Sequence, residues 1–265
     1  MTTLKSKDLN VQINAGELVS LIKNKHEFIH QKGSPGWSHS DTEMFPVIGP
    51  TDDAQFKVKT PQKDAILDQH GLLRELEYKL VKADDAHALF KKEYKADTQV
   101  KNSKYNSNEK LPSDSVKHPE YLYWPYDFTF KKSFKLTDNG LEIVFDIEGE
   151  KGMPFMLGYH PAFNLVTDKP VIKTEHCTVS LDEVMAVGSR ALSVLDSSTI
   201  TLQDKYELTL KTKGFKHFML WTEVKNMICI EPITFYPYAV NQKNLDSGFM
   251  KLDNQKNHFS VKIEV

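Results

Sequence analysis

Polar and apolar side chains alternate with a period of two along much of this chain. In Glu142-Ile143-Val144-Phe145-Asp146-Ile147 and Ser260-Val261-Lys262-Ile263-Glu264-Val265 every second residue is apolar, the pattern of a strand with one buried face. Similar β-rich runs span Leu18 to Ile22, Glu27 to Ile29, Phe128 to Leu136, Thr178 to Leu181, Tyr206 to Leu210, Phe218 to Thr222, Met227 to Ile230 and Phe259 to Val265. Asp138-Asn139-Gly140 separates two of them and predicts a tight hairpin. Many short strands of this kind imply an all-β chain folded as an antiparallel sandwich or barrel. With 265 residues such a fold commonly forms one domain, so a single domain over residues 1–265 is expected.

Two segments break the strand pattern. Charged residues alternate loosely with Ala88, Leu89 and Phe90 between Asp84 and Lys95, which suggests a helix or, equally, a strand plus loop. From Lys101 to Pro119 the chain is rich in Asn, Ser and Lys and reads as a long, exposed, solvated loop.

Charge and cysteine content narrow the function classes. The formal net charge is −2, from 34 basic and 36 acidic residues spread along the chain, so no broad basic surface recommends nucleic acid or an anionic membrane as a partner. Arg74 and Arg190 are the only arginines, and Arg is the residue suited to gripping carboxylate or phosphate. Cys177 and Cys229 are the only cysteines, too few for a disulfide framework and too far apart for a zinc knuckle. The stretch after Met1 lacks a signal-like apolar core, and no segment approaches the ~18 apolar residues of a membrane span. A soluble cytoplasmic protein is expected, with monomer or homodimer left open.

Three short clusters hold the candidate chemistry: Gln69-His70-Gly71-Leu72-Leu73-Arg74, Gly158-Tyr159-His160-Pro161-Ala162-Phe163-Asn164 and Cys229-Ile230-Glu231-Pro232. Each sets a titratable group beside Gly or Pro at a predicted strand end. His160 precedes a proline, which forces extended backbone, and Glu231 ends a run apolar enough to be buried, where a carboxylate must be paired or shifted. Two imidazoles and a carboxylate can act as acid, base and polariser near neutral pH. Phe163, Trp221 and the Phe235, Tyr236, Tyr238 group offer rings on which a sugar can stack, and Asn164 offers an amide. The short-range ligand spacing of common metal sites is absent, so a metal hydrolase built on His70, His160 and Glu231 is disfavoured.

Taken in order, Phe45-Pro46-Val47-Ile48-Gly49, His70-Gly71, Gly158 to Asn164 and Ile230-Glu231-Pro232 resemble the aldose 1-epimerase (galactose mutarotase) family, and within it the LacX-like branch. The resemblance implies a large antiparallel β-sandwich, the galactose mutarotase-like supersandwich, binding a small sugar in an open cleft with no cofactor and no metal. It implies an isomerase that interconverts the α and β anomers of an aldohexose. Glu231 would be the base on the C1 hydroxyl, His160 the acid on the ring oxygen and His70 a positioning group, with Arg74, Asn164, Trp221 and Phe163 as substrate contacts. A hexose-6-phosphate 1-epimerase and a non-catalytic carbohydrate-binding protein are the alternatives. One departure stands out: many relatives carry Arg after the Phe-Pro-x-x-Gly strand, where this chain has Pro50, and Arg74 is the candidate replacement. For a substrate-binding Asp, Asp182 and Asp246 are the candidates.

Overall fold

The computed structural model describes residues 1–108 and 116–265. Two sheets carry the architecture. A nine-stranded antiparallel sheet runs in the order Thr178–Ser180, Val171–Thr174, Thr199–Gln203, Glu207–Lys213, Lys256–Glu264, Gly140–Gly149, Phe128–Thr137, His87–Tyr94 and Lys79–Ala83. A six-stranded sheet runs Leu192–Val194, His217–Trp221, Met227–Ile233, Gly158–His160 and Thr42–Met44, with Ala162–Asn164 paired beside Met227–Ile233. The apolar faces pack on each other through aromatic contacts such as Phe145 on Tyr159 and Phe45 on Phe128, at 5.2 and 5.0 Å between ring centroids. A four-stranded sheet of residues 2–27 adds its own apolar face to the same buried cluster.

The alternating runs form strands as expected, because one face of each has somewhere dry to go. In Phe128–Thr137 and Gly140–Gly149, Phe130, Phe134, Ile143, Phe145 and Ile147 are fully buried, as is Lys132 on the same face, while the alternate residues between them are part-exposed. Thr137 pairs with Gly140, so Asp138 and Asn139 alone make the turn. Gly140 sits there because a Cβ would meet the Ile263 carbonyl oxygen at 1.9 Å.

Three expectations need correction or completion. The segment around Asp84 to Lys95 is no helix: His87–Tyr94 is a strand whose even-numbered residues are buried, and period-two burial overrides the helical character of its Ala and Lys residues. The α-helix of the described residues is Leu181–Val187, begun by a capping box of Ser180 and Glu183, where the run of Thr178 to Leu181 had read as strand to its end. The polar loop is not simply solvated: residues 109–115 of it lie outside the described residues, but Asn102 is buried and donates from Nδ2 to Asp68 Oδ2 at 2.8 Å. Lys104 Nζ stands 3.0 Å from Asp68 Oδ1, and His118 Nδ1 2.7 Å from Asp68 Oδ2. Both flanks of the loop are thus tied to one carboxylate, two residues before His70. Among the described residues no helix is long and apolar enough to cross a membrane.

A buried ion cluster ties the two large sheets together. Lys132, on the Phe128–Thr137 strand, has no exposed surface; its Nζ lies 2.8 Å from Asp41 Oδ2 and 2.6 Å from Glu43 Oε1. The Tyr159 hydroxyl donates to Asp41 Oδ2 at 2.6 Å, and the Leu18 N–H donates to Asp41 Oδ1 at 2.6 Å. Burial pushes the Asp41 carboxyl up to about 6 against the pull of Lys132. Removing one member of such a cluster strands the others without water or partner, at a cost of about 3–5 kcal/mol. We therefore expect Lys132→Met, similar in length and uncharged, to lower the urea-denaturation stability by about that amount; an unchanged midpoint would mean that the cluster is dispensable.

Candidate functional site

The cleft lies beside the six-stranded sheet, in a cavity of about 290 Å³. That is the small end of ligand-pocket sizes, suited to one small molecule and not to a polymer. His160 closes the Gly158–His160 strand, Glu231 lies within Met227–Ile233, and His70 and Arg74 come from the turn after Leu67. His160 Nε2 stands 3.4 Å from Glu231 Oε1. The His70 and His160 rings meet edge to face at 5.5 Å.

Backbone geometry explains why His70 points where it does. It occupies the left-handed region at φ 72°, followed by Gly71 at φ 74°, a conformation that a non-glycine residue adopts only when its surroundings demand it. The demand comes from the segment after Met44, which the sequence reads as strand but which lies outside the sheets beyond a single bridge at Phe45: the His70 N–H donates to the Ile48 carbonyl at 2.8 Å, and its ring Nδ1 meets the same oxygen at 2.9 Å. A Cβ at Gly71 would collide with the Phe45 carbonyl oxygen at 2.1 Å, so only glycine fits. Because a carbonyl can only accept, Nδ1 carries the proton and Nε2 keeps its lone pair for the cleft.

Burial dominates the electrostatics. His160 is held down to about 3, first by burial and then by the nearby Arg74 and His39. His70 is pushed well below the imidazole range by burial, with Arg74 and His160 adding to it. Glu231 is pushed well above the carboxylate range by burial, with Arg74 pulling it back. The resting His160 and Glu231 pair therefore holds one proton, on the carboxyl, and faces a neutral imidazole. Arg74 donates from Nη2 to Thr42 Oγ1 at 3.3 Å, and its buried Nε has no partner. Among the described residues no carboxylate lies within ion-pair distance of it.

Five of the seven residues singled out by sequence converge on the cleft: Glu231, His160, His70, Arg74 and Trp221. Phe163 and Asn164 do not line it. Phe163 has no exposed surface and belongs to the main core. The Asn164 amide is spent on main chain, donating from Nδ2 to the carbonyls of Glu27 and Ile29, both at 3.0 Å. Asp182 lies in the exposed first turn of the helix, and Asp246 on the turn Gln242–Gly248 away from the cleft. The cleft also contains Gln69, beside His70 in its cluster, and residues that the sequence did not flag: Trp37, His39, Lys104 and Glu223. Trp37 stacks on the His160 ring at 4.8 Å and 30°. It follows Ser34-Pro35-Gly36 in a segment with no strand or helix periodicity, so nothing local marked it.

Among the described residues one cluster of metal-binding types occurs at the cleft, where His160 and Glu231 and the buried Cys229 behind them bring ligand atoms within 4.8 Å of one another. The surroundings fit a cation poorly. Arg74 lies close enough to shift both His160 and Glu231, and Cys229 and Glu231 are each held protonated by burial, so a metal would have to displace two protons beside a guanidinium.

Comparison with known proteins places this geometry. Residues 52–232, which include His70, Arg74, His160 and Glu231, match the family model described as aldose 1-epimerase. No curated protein sequence matches the chain. Among solved structures it is similar to a galactose mutarotase-like protein from Lactobacillus casei, with a TM-score of 0.76 at 18% identity over 100% of this chain and 99% of that one. It is also similar to a galactose mutarotase related enzyme from Lactobacillus acidophilus, with a TM-score of 0.74 at 18% identity over 99% and 97% of the two chains. A galactose mutarotase-like protein from Clostridium acetobutylicum gives 0.63 at 16% identity over 98% and 93%. At these identities the likeness concerns the fold, which is that of the galactose mutarotase-like sandwiches.

The buried imidazole has a consequence for stability. His160 stays neutral in the folded chain down to about pH 3, whereas in the unfolded chain it takes a proton below about 6.5. Between those values the unfolded state binds more protons, so His160 makes the protein less stable as pH falls. His160→Gln should flatten the dependence of urea-denaturation stability on pH between about 6.5 and 4 by up to one proton, about 1.4 kcal/mol per pH unit. An unchanged slope would mean that His160 ionises in the fold.

Proposed function

This chain belongs to the aldose 1-epimerase family, and we propose that it is a mutarotase, interconverting the α and β anomers of an aldohexose by opening and reclosing the ring. The observation that carries the reading is the 3.4 Å approach of His160 Nε2 to Glu231 Oε1 inside a monosaccharide-sized cleft. Two groups that share one proton across that gap are what ring opening needs, since one proton must leave O1 as another arrives at O5.

Glu231 as carboxylate removes the C1 hydroxyl proton; the C1–O1 bond becomes a carbonyl, the C1–O5 bond breaks, and O5 takes the proton of the His160 imidazolium. The pair is then neutral, with its proton on Glu231, the form that burial favours. Rotation about C1–C2 turns the aldehyde, and reclosure runs backwards: His160 takes the O5 proton as O5 attacks C1, and Glu231 returns a proton to O1. Arg74 favours the Glu231 carboxylate but, like burial, opposes the His160 imidazolium, so the charged form is the high-energy one, and opening the ring returns the pair to its neutral form. His70 offers Nε2 as an acceptor and so orients a sugar hydroxyl; it has no proton there to give to O5. Trp37 and Trp221 supply the apolar wall against which the C–H face of a sugar packs.

Glu231→Gln keeps the shape of the site and removes its base. It should lose about 10²–10⁴-fold in catalysed anomer exchange, the worth of one placed proton transfer, read by polarimetry on freshly dissolved α-glucose or α-galactose. Full activity in that variant would sink the assignment.

A specific observation favours a second reading, an aldose bearing an anionic group such as a 6-phosphate. Arg74 lines the cleft without a carboxylate partner among the described residues, and Lys104 and His39 line it too. A guanidinium free to receive an anion suits phosphate. NMR exchange rates on glucose and glucose 6-phosphate separate the two readings. If the phosphorylated sugar is the substrate, Arg74→Gln should raise its KM about tenfold or more over and above any change in the exchange of free glucose, which reads only the effect of the guanidinium on Glu231 and the histidines. Equal rates on both sugars would leave the free aldohexose as the substrate.

A further inference from the structure

The Asn164 that does not reach the cleft acts on it from behind. Its NH₂ group is fixed by two main-chain carbonyls, those of Glu27 and Ile29, so the amide cannot be flipped and Oδ1 must face the other way. There it meets His30 Nδ1 at 3.0 Å. The other nitrogen of that buried ring, Nε2, meets the Pro35 carbonyl at 3.2 Å; both partners are acceptors, so a ring with one N–H donates to one of them and packs against the other. Pro35 belongs to the loop that carries Trp37 and is held in a closed turn by the bonds from Gly33 N to Trp37 O at 3.0 Å and from Trp37 N to Ser34 O at 3.1 Å. The Trp37 indole N–H donates to the Ser40 carbonyl at 3.1 Å, leaving the ring flat against His160.

The topology gives this chain of contacts its meaning. The loop between His30 and Asp41 hangs from two strands that flank His160. At one end the His30 N–H donates to the Ala162 carbonyl at 2.9 Å, and at the other Thr42 pairs with His160. Gln31 also ties the loop, through its part-exposed amide on the Val19 and Ile29 carbonyls, but the buried side-chain tie that reaches the turn carrying Trp37 is the His30 ring.

We propose that His30 and Asn164 are positioning residues for the reaction, a relay that holds the Trp37 ring over His160 and so fixes the imidazole and keeps water from its face. The relay gives an account of why an amide follows the His160-Pro161-Ala162-Phe163 stretch without touching the cleft. It rests on the mutarotase reading for the use made of His160, but the cover over the ring is a property of the fold.

The test is a double-mutant cycle of His30→Leu and Trp37→Ala, read by NMR titration of the His160 ring proton on Cε1 (assigned with His160→Gln) and by the pH dependence of anomer exchange. Either single variant, by admitting water, should move the His160 titration up by about one pH unit or more, towards the ordinary imidazole value. Each should also lower kcat by about ten- to hundredfold, with the acid limb of the pH profile moved upward in step. The double variant should add nothing, since both changes remove the same cover. If His30→Leu does not fold, Asn164→Ser takes its place in the cycle. A His160 titration unmoved by the relay variants, or effects that add in the double variant, overturns the relay. The ring titration is read whether or not a sugar turns over: a titration that moves in a wild-type background inactive on every aldose supports the relay and refutes the mutarotase reading instead.

Discussion

The arrangement of this protein depends on the ion cluster at its centre. Lys132 comes from the nine-stranded sheet, Asp41 and Glu43 from the start of the strand Thr42–Met44, and Tyr159 from the strand paired with it. Buried charges of this kind are costly unless each finds its partner, so the cluster tolerates one mutual placement of the two sheets. Register follows from it. Glu43 pairs with Tyr159 and Thr42 with His160, and because neighbouring residues of a strand point to opposite faces, burying Glu43 and Tyr159 inside the sandwich turns Thr42 and His160 to the other side. A slip of one residue would turn His160 into the sandwich and Tyr159 towards the cleft. The position of the imidazole beside Glu231 is thus set by a lysine from a different sheet.

The chemistry of the cleft follows from dryness more than from any unusual residue. In water at neutral pH the carboxylate would be charged and the imidazole partly so; enclosed by Trp37, Trp221 and Met219, they share a single proton with the neutral form preferred. Arg74 is the counterweight, lowering the cost of charge on Glu231 and raising it on the two histidines. The missing guanidinium at Pro50 fits the same picture. Gly49, which precedes it, lines the cleft with Arg74, so a cation enters the same cavity from a different turn.

Much of the fold and part of the site were legible in the amino-acid sequence. The alternation in 142–147 and 260–265 marked strands with one wet face, and Asp138-Asn139 marked its hairpin. His160 and Glu231 stood out because each ends or interrupts an apolar run beside a proline, and His70 because a glycine follows it. The misreadings have physical causes. His87–Tyr94 was ambiguous because its residues favour helix as much as strand in isolation, and only the neighbouring strands Phe128–Thr137 and Lys79–Ala83 resolve it. Lys104 sits in a segment whose composition speaks only of solvent, and what draws it to the cleft is Asp68, 36 residues earlier in the chain.

The sequence by itself therefore determined what is local: where the backbone extends, where it turns, and which titratable groups sit at rigid strand ends. These are written in the period of the side chains and the allowed angles of Gly and Pro, and they act over a few residues. Only the tertiary structure decided which of those groups meet, that Trp37 and Lys104 join them, and that Phe163 and Asn164 face away from the cleft. Those outcomes rest on contacts between residues far apart in the chain, Lys132 with Asp41 and Asn164 with His30 among them, and such contacts leave no periodic trace in the sequence because neither partner's neighbours need be special.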